Sequence, residues 1–123
     1  MGKFQVKKAA KGGCMFNLLA TNGQVVATSE VYVKRSSLLN GIASVQANAA
    51  AAGVEDQTAE KPAKLANPKF EVYADKAGKF RFRLKAKNGQ VIAVGEAYET
   101  KKACLAGVAS VRKNAPAAKI VEA

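Results

Sequence analysis

Between Lys69 and Glu96 apolar and polar residues alternate with period two, interrupted twice by turn signals. Lys69–Ala74 carries Phe70 and Val72 on one face, and Asp75-Lys76-Ala77-Gly78 reads as a turn. Lys79–Lys87 alternates strictly, with Phe80, Phe82, Leu84 and Ala86 set against Lys79, Arg81, Arg83, Lys85 and Lys87. That pattern predicts a half-buried strand. Asn88-Gly89 follows, the favoured pair for a two-residue type I′ hairpin, in which both central residues need φ > 0. Gln90–Glu96 is then the returning strand. With Lys87 opposite Gln90, the pairs run through Ala86–Val91, Lys85–Ile92, Leu84–Ala93 and Phe82–Gly95 to Arg81–Glu96. The predicted core face holds Phe80, Phe82, Leu84, Ala86, Val91 and Ala93, and Gly95 leaves room for the Phe82 ring.

Beyond Tyr98 the period changes. Thr100 is a candidate N-cap, and Cys104, Leu105, Val108 and Val111 form an apolar stripe at helical spacing as far as about Asn114. Pro116 ends the helix, and Lys119-Ile120-Val121-Glu122 reads as a short last strand. One unit is therefore β-β-β-α-β.

The unit occurs twice. A shift of 66 lays residues 3–49 on 69–115 without a gap. Phe4, Val6, Phe16, Leu18 and Ala20 recur as Phe70, Val72, Phe82, Leu84 and Ala86. Asn22-Gly23-Gln24-Val25 recurs as Asn88-Gly89-Gln90-Val91, and Gly41 as Gly107. Gly53-Val54-Glu55-Asp56 is the counterpart of the last strand. We divide the chain into repeat 1 (1–57), a linker (58–67) and repeat 2 (68–123). A unit of about 50 residues is marginal alone, so both are expected to share one core in a single compact domain. The expected fold is α+β: one antiparallel sheet with two helices on one face and pseudo-two-fold symmetry.

Composition narrows the chemistry. Of 123 residues, 20 are Lys or Arg and 9 are Asp or Glu, for a net charge of +11. There is no His, which excludes His-based acid–base catalysis, His metal ligands and Ser-His or Cys-His pairs. Two Cys cannot form a four-ligand zinc site. Cys14 matches Phe80 and Cys104 matches Leu38, so both read as buried, inert thiols. No apolar run approaches the ~20 residues of a membrane span, and Met1–Gln5 does not open a signal peptide. The expectation is a soluble, cytoplasmic, basic module with no metal, cofactor or membrane partner.

The motifs resemble the YegP-like family of small uncharacterised bacterial proteins. The matching residues are Gly78–Ile92, Glu96-Ala97-Tyr98, Lys101 and Gly107–Ala115. Repeat 1 matches less well, because Gly13–Ala20 lacks the basic residues. The resemblance implies a single sheet in which the repeats exchange their C-terminal strands. It implies no activity and transfers no site residues.

Three groups of residues are candidates for function. Lys79, Arg81, Arg83, Lys85 and Lys87 form a basic stripe about 27 Å long on the outward face. Glu96, opposite Arg81, neutralises one of them and leaves about four for phosphates. Their counterparts are Gly13, Met15, Asn17, Leu19 and Thr21, so Met15, Leu19 and Val26 form a small apolar patch for a protein partner or a homodimer. Glu30/Tyr32 and Glu96/Tyr98 are the polar pair kept in both repeats. They read either as two symmetry-related sites or as an outer carboxylate and a packed ring. No nucleophile–base pair, metal cluster or cofactor loop is visible, so the chain is read as a non-enzyme with no catalytic residue. The expected function is non-specific binding of nucleic acid or another polyanion, with protein interaction or self-association as the alternative.

Overall fold

A computed structural model describes residues 2–10, 12–58 and 64–122. Part of the expected linker, 59–63, lies outside them. The elements in order are β1 (Lys3–Lys8), β2 (Cys14–Leu19), β3 (Val25–Thr28), α1 (Arg35–Ala49), β4 (Gly53–Asp56), β5 (Lys69–Ala74), β6 (Phe80–Lys85), β7 (Val91–Val94), α2 (Lys101–Asn114) and β8 (Lys119–Glu122). A 3-10 turn, Ala115–Ala117, separates α2 from β8 around Pro116. Thr100 caps α2, its hydroxyl accepting from the Ala103 amide at 3.0 Å. No helix among the described residues is long and apolar enough to cross a membrane.

The eight strands form one sheet in the order β4-β5-β6-β7-β3-β2-β1-β8. The sheet is mixed rather than antiparallel throughout. β4 lies parallel to β5 and β8 parallel to β1, while the inner pairs are antiparallel. The reason is chain direction. A parallel neighbour needs a connection of a dozen residues or more, and residues 57–68 between β4 and β5 supply that length. Where the inner halves meet, β3 and β7 share the single pair Thr28↔Val94.

One buried apolar cluster takes side chains from the sheet and both helices. It includes Phe4, Phe16, Phe70 and Phe82, all fully buried, with Leu38, Ile42 and Val45 of α1 and Cys104, Val108 and Val111 of α2. Leu105, expected on the buried stripe, is 39% exposed, and Gly107 lies buried instead. The reason is close packing. Tyr98 stacks on Phe82 with centroids 6.4 Å apart, and its hydroxyl reaches α2 at Gly107. A Cβ at Gly107 would meet Tyr98 Cζ at 2.9 Å and Phe82 Cε2 at 3.0 Å. Tyr32, Phe16 and Gly41 repeat the arrangement in the first copy. A Cβ at Gly95 would collide with the Phe82 ring, as the sequence pattern predicts.

The β6–β7 hairpin differs from the expected type I′ turn. No described non-glycine residue has positive φ, and Gly89 has φ +85°. The Gly89 amide donates to Ala86 O and the Ala86 amide to Gln90 O, each at 2.9 Å. Lys87, Asn88 and Gly89 therefore form a three-residue loop closed by a left-handed glycine. The added loop residue shifts the register through a bulge. Leu84↔Ala93 stands as expected, but Lys85 faces Val91. Consequently Ile92 is buried and Val91 only half-buried, the reverse of the expectation. The first copy does the same at Leu19↔Val25.

Phe82→Ala is expected to cost about 3–5 kcal/mol by deleting a fully buried ring. Gly107→Ala is expected to cost about 1–3 kcal/mol by overpacking against Tyr98. Urea denaturation of each variant measures both. A neutral Gly107→Ala would mean that helix and ring can separate without loss.

Candidate binding face of the sheet

The alternation of β5 and β6 carries the outward residues. On β5 they are Lys69, Glu71 and Tyr73, and on β6 Arg81, Arg83 and Lys85. The register sets Lys69 beside Lys85, Glu71 beside Arg83 and Tyr73 beside Arg81. Lys79 and Lys87 lie just outside β6, which is shorter than the predicted strand.

The face is organised around carboxylates. Parallel pairing sets Glu55 of β4 beside Glu71, and both are 3% exposed. Two neighbouring buried carboxylates repel unless a cation stands between them. Lys69 does so, with Nζ 2.9 Å from Glu55 and 3.3 Å from Glu71. Glu71 also accepts from Arg83 Nε at 2.6 Å and lies 3.2 Å from Lys85 Nζ. Burial alone would raise the Glu71 pKa, but hydrogen bonds from Arg83, Lys85 and Lys69 outweigh it and hold the group below the usual carboxylate range. Glu55 is held down to about 2 by hydrogen bonds from Gln57, Lys69 and the Leu65 amide.

The basic stripe is thus less free than its sequence suggests. Arg81 lies 3.9 Å from Asp75 and makes no ion pair with Glu96, its expected partner. The strands part here: Gly95 bonds to Phe82 and Tyr98 to Phe80, so two residues, Glu96 and Ala97, span the stretch opposite Arg81 alone. Lys79 pairs with Glu99. Arg83 is drawn to Glu71 and over the Tyr73 ring, 4.7 Å from its centroid. Among the described residues, Lys87 of the stripe has no ion pair, and it is exposed. Neutralisation extends to four of the five cations instead of one.

The expected apolar patch of repeat 1 loses a member. Met15 and Leu19 are half-buried, but the bulge leaves Val26 8% exposed, within the buried cluster. Glu30 and Glu96 are exposed, and neither carboxylate has a partner among the described residues. Burial raises the Tyr32 and Tyr98 pKa values, with Glu30 adding to the first and Cys104 and Glu96 to the second. Cys104 is buried and Cys14 half-buried, and both are free thiols. Burial pushes the Cys104 thiol up, away from the reactive thiolate.

The alternation that turns Phe70 and Val72 inward puts Glu71 on the outward face, but sequence reasoning missed Lys69 and Glu55. Lys69 could have been found, because the alternation of β5 puts it on Glu71's face. Glu55 could not, since only the β4–β5 pairing brings it there.

With two copies of the unit side by side in one sheet, the family can be assigned. A domain of unknown function, DUF1508, matches residues 9–56 and again 75–122. The chain belongs to the DUF1508 family. Among members, UPF0339 protein YegP of Yersinia pestis is 43% identical over 114 residues, covering 93% of this chain and 88% of that protein. A UPF0339 protein of Treponema denticola is 72% identical over 54 residues, 44% of this chain and 93% of its own. The solution structure of yegP from E. coli, a protein of unknown function, superposes with a TM-score of 0.80 at 30% identity, covering 98% of this chain and 91% of that one. These DUF1508 relatives bear out the resemblance of Gly78–Ile92 and Gly107–Ala115 to YegP-like proteins.

The depressed carboxylates predict an acid limb. Their contribution to stability is full above the unfolded-state value of about 4.3 and is lost as pH falls through the folded value, about 2 for Glu55. Glu55→Gln should lower the urea midpoint at about pH 6, and then lose less than the wild type between about pH 5 and pH 3. Parallel pH profiles would refute the assignment.

Proposed function

We propose that this protein is a non-enzymatic binding module that engages a polyanion weakly through the outer face of repeat 2. The observation that carries the reading is a local excess of positive charge. Lys69, Lys79, Arg81, Arg83, Lys85 and Lys87 share the face with five carboxylates, Glu55, Glu71, Asp75, Glu96 and Glu99. The surplus gathers at the hairpin end, where Lys85 shares Glu71 with two other cations and Lys87 projects from the turn. The burial of Val26 and the half-burial of Met15 and Leu19 weaken the alternative, a protein contact on repeat 1.

Lys87 without an ion pair and Lys85 sharing Glu71 with two other cations imply a shallow salt dependence. Binding to single-stranded RNA should show a log–log slope of magnitude no more than about 1.4, lower than the four unpaired cations expected from the sequence would give. Lys85→Gln combined with Lys87→Gln should remove most of the affinity, whereas changing Lys3, Lys7 and Lys8 to Gln should matter much less. Fluorescence anisotropy across a salt series measures both. Binding that survives the double substitution would refute the reading.

We also read the two repeats, 1–57 and 68–123, as a single folding unit that exchanges its C-terminal strands. Support comes from β4 beside β5 and β8 beside β1. Matching ties cross between the copies: Arg35 with Glu122 at 2.5 Å, and Lys101 with Asp56. Gln46 donates to Ala118 O at 3.3 Å, and Arg112, its counterpart, donates to Ala52 O. A fragment of residues 1–60 is accordingly expected not to form a cooperatively melting monomer. Calorimetry combined with sedimentation tests this.

A further inference from the structure

We propose that the cleft over the β3–β7 seam binds a small diamino-carboxylate, a molecule of the lysine type. The cleft has a volume of about 280 Å³ and is lined by Glu30, Glu96, Arg81, Thr28, Ser29 and Val94, with Gly95 at its edge. It is small for a ligand site and suits a ligand of amino-acid size.

Three charged residues line it, two of them without partners and the third held only by a long ion pair. Glu30 and Glu96 are counterparts under the 66-residue shift, and both copies contribute to this one cleft. Neither carboxylate accepts a hydrogen bond or joins an ion pair among the described residues. The tyrosines retained with them are accounted for by packing on Gly41 and Gly107, but the carboxylates are not. The third group is Arg81. Its Nε is buried without a hydrogen-bond partner, and its guanidinium stands 3.9 Å from Asp75, beyond hydrogen-bond distance. A guanidinium held this way can still receive a carboxylate.

Register sets the spacing. Glu30 and Glu96 each lie two residues beyond the Thr28↔Val94 pair, in opposite directions. Four steps of extended chain separate their levels, about 13 Å. Two glutamate side chains turned toward each other would leave a gap that a short alkyl diamine bridges. One guanidinium and two carboxylates call for one carboxylate and two ammonium groups on the ligand. The polarity is specific to this seam, because the counterpart of Arg81 is Met15. The inference is independent of polyanion binding, which rests on Lys85 and Lys87.

The test uses three molecules of similar length. L-lysine carries all three charges, L-norleucine lacks the distal ammonium, and 1,5-diaminopentane lacks the carboxylate. Each is titrated into the full chain and followed by amide chemical shifts. Saturable shifts at Ser29 and Gly95, with L-lysine bound at least about tenfold tighter than either analogue, support the proposal. Glu30→Gln and Glu96→Gln should each weaken L-lysine about tenfold or more, and Arg81→Met should abolish the preference over 1,5-diaminopentane. Unchanged shifts elsewhere verify folding of each variant. Absence of saturation, or equal affinity for L-lysine and either analogue, overturns it.

Discussion

The distance between helix and sheet is set by a ring pressed against a glycine. In each copy a tyrosine at the end of the third strand stacks on a fully buried phenylalanine, and its hydroxyl end rests on a helix residue with no side chain. Any Cβ at Gly41 or Gly107 would push the helix outward and open the aromatic core. Interiors pack at near-crystalline density, so such a gap forfeits dispersion contacts along the whole interface. The positions of Leu38, Ile42 and Val45, and of Cys104, Val108 and Val111, follow from this contact. So does the exposure of Leu105, which the stripe pattern alone had turned inward.

The outer face obeys a different constraint. Parallel pairing of β4 with β5 brings two carboxylates together at a site almost closed to water. Lys69 makes that tolerable, and Arg83 and Lys85 complete the neutralisation of Glu71. A stripe that reads as about four free cations is therefore largely a scaffold of charge-assisted hydrogen bonds. Buried ion pairs of this kind add little net stability against apolar replacements, but breaking one leaves an uncompensated charge. What remains for a ligand is the edge of the network, at the hairpin, and the unpaired charges at the seam.

The two copies have kept the inward face and changed the outward one. Phe4, Phe16, Leu18 and Ala27 match Phe70, Phe82, Leu84 and Ala93, while Met15, Asn17 and Leu19 stand where Arg81, Arg83 and Lys85 do. The shared core constrains the first set equally in both halves. The outward set answers to local partners: Asn17 accepts from Thr28 at 3.0 Å, in the place where Arg83 meets Glu71.

Much of the fold was legible in the chain. Period-two runs, an N-cap threonine and an ungapped duplication define the strands, the helices and the repeated unit, because these depend on residues near one another in sequence. The hairpin was read less well. Asn88-Gly89 suits two turn geometries, and the choice between them moved one residue in the register and exchanged Val91 for Ile92 in the core. Of the candidate site, the cations of β6 were visible, but their partners were not. Glu55 reaches Lys69 and Glu71 only through the pairing of β4 with β5, and Glu30 meets Glu96 and Arg81 only across the seam. Local alternation determines which side of a strand a residue faces. Which charge stands beside it depends on strand order, and that is decided when distant segments bury their apolar faces against one another.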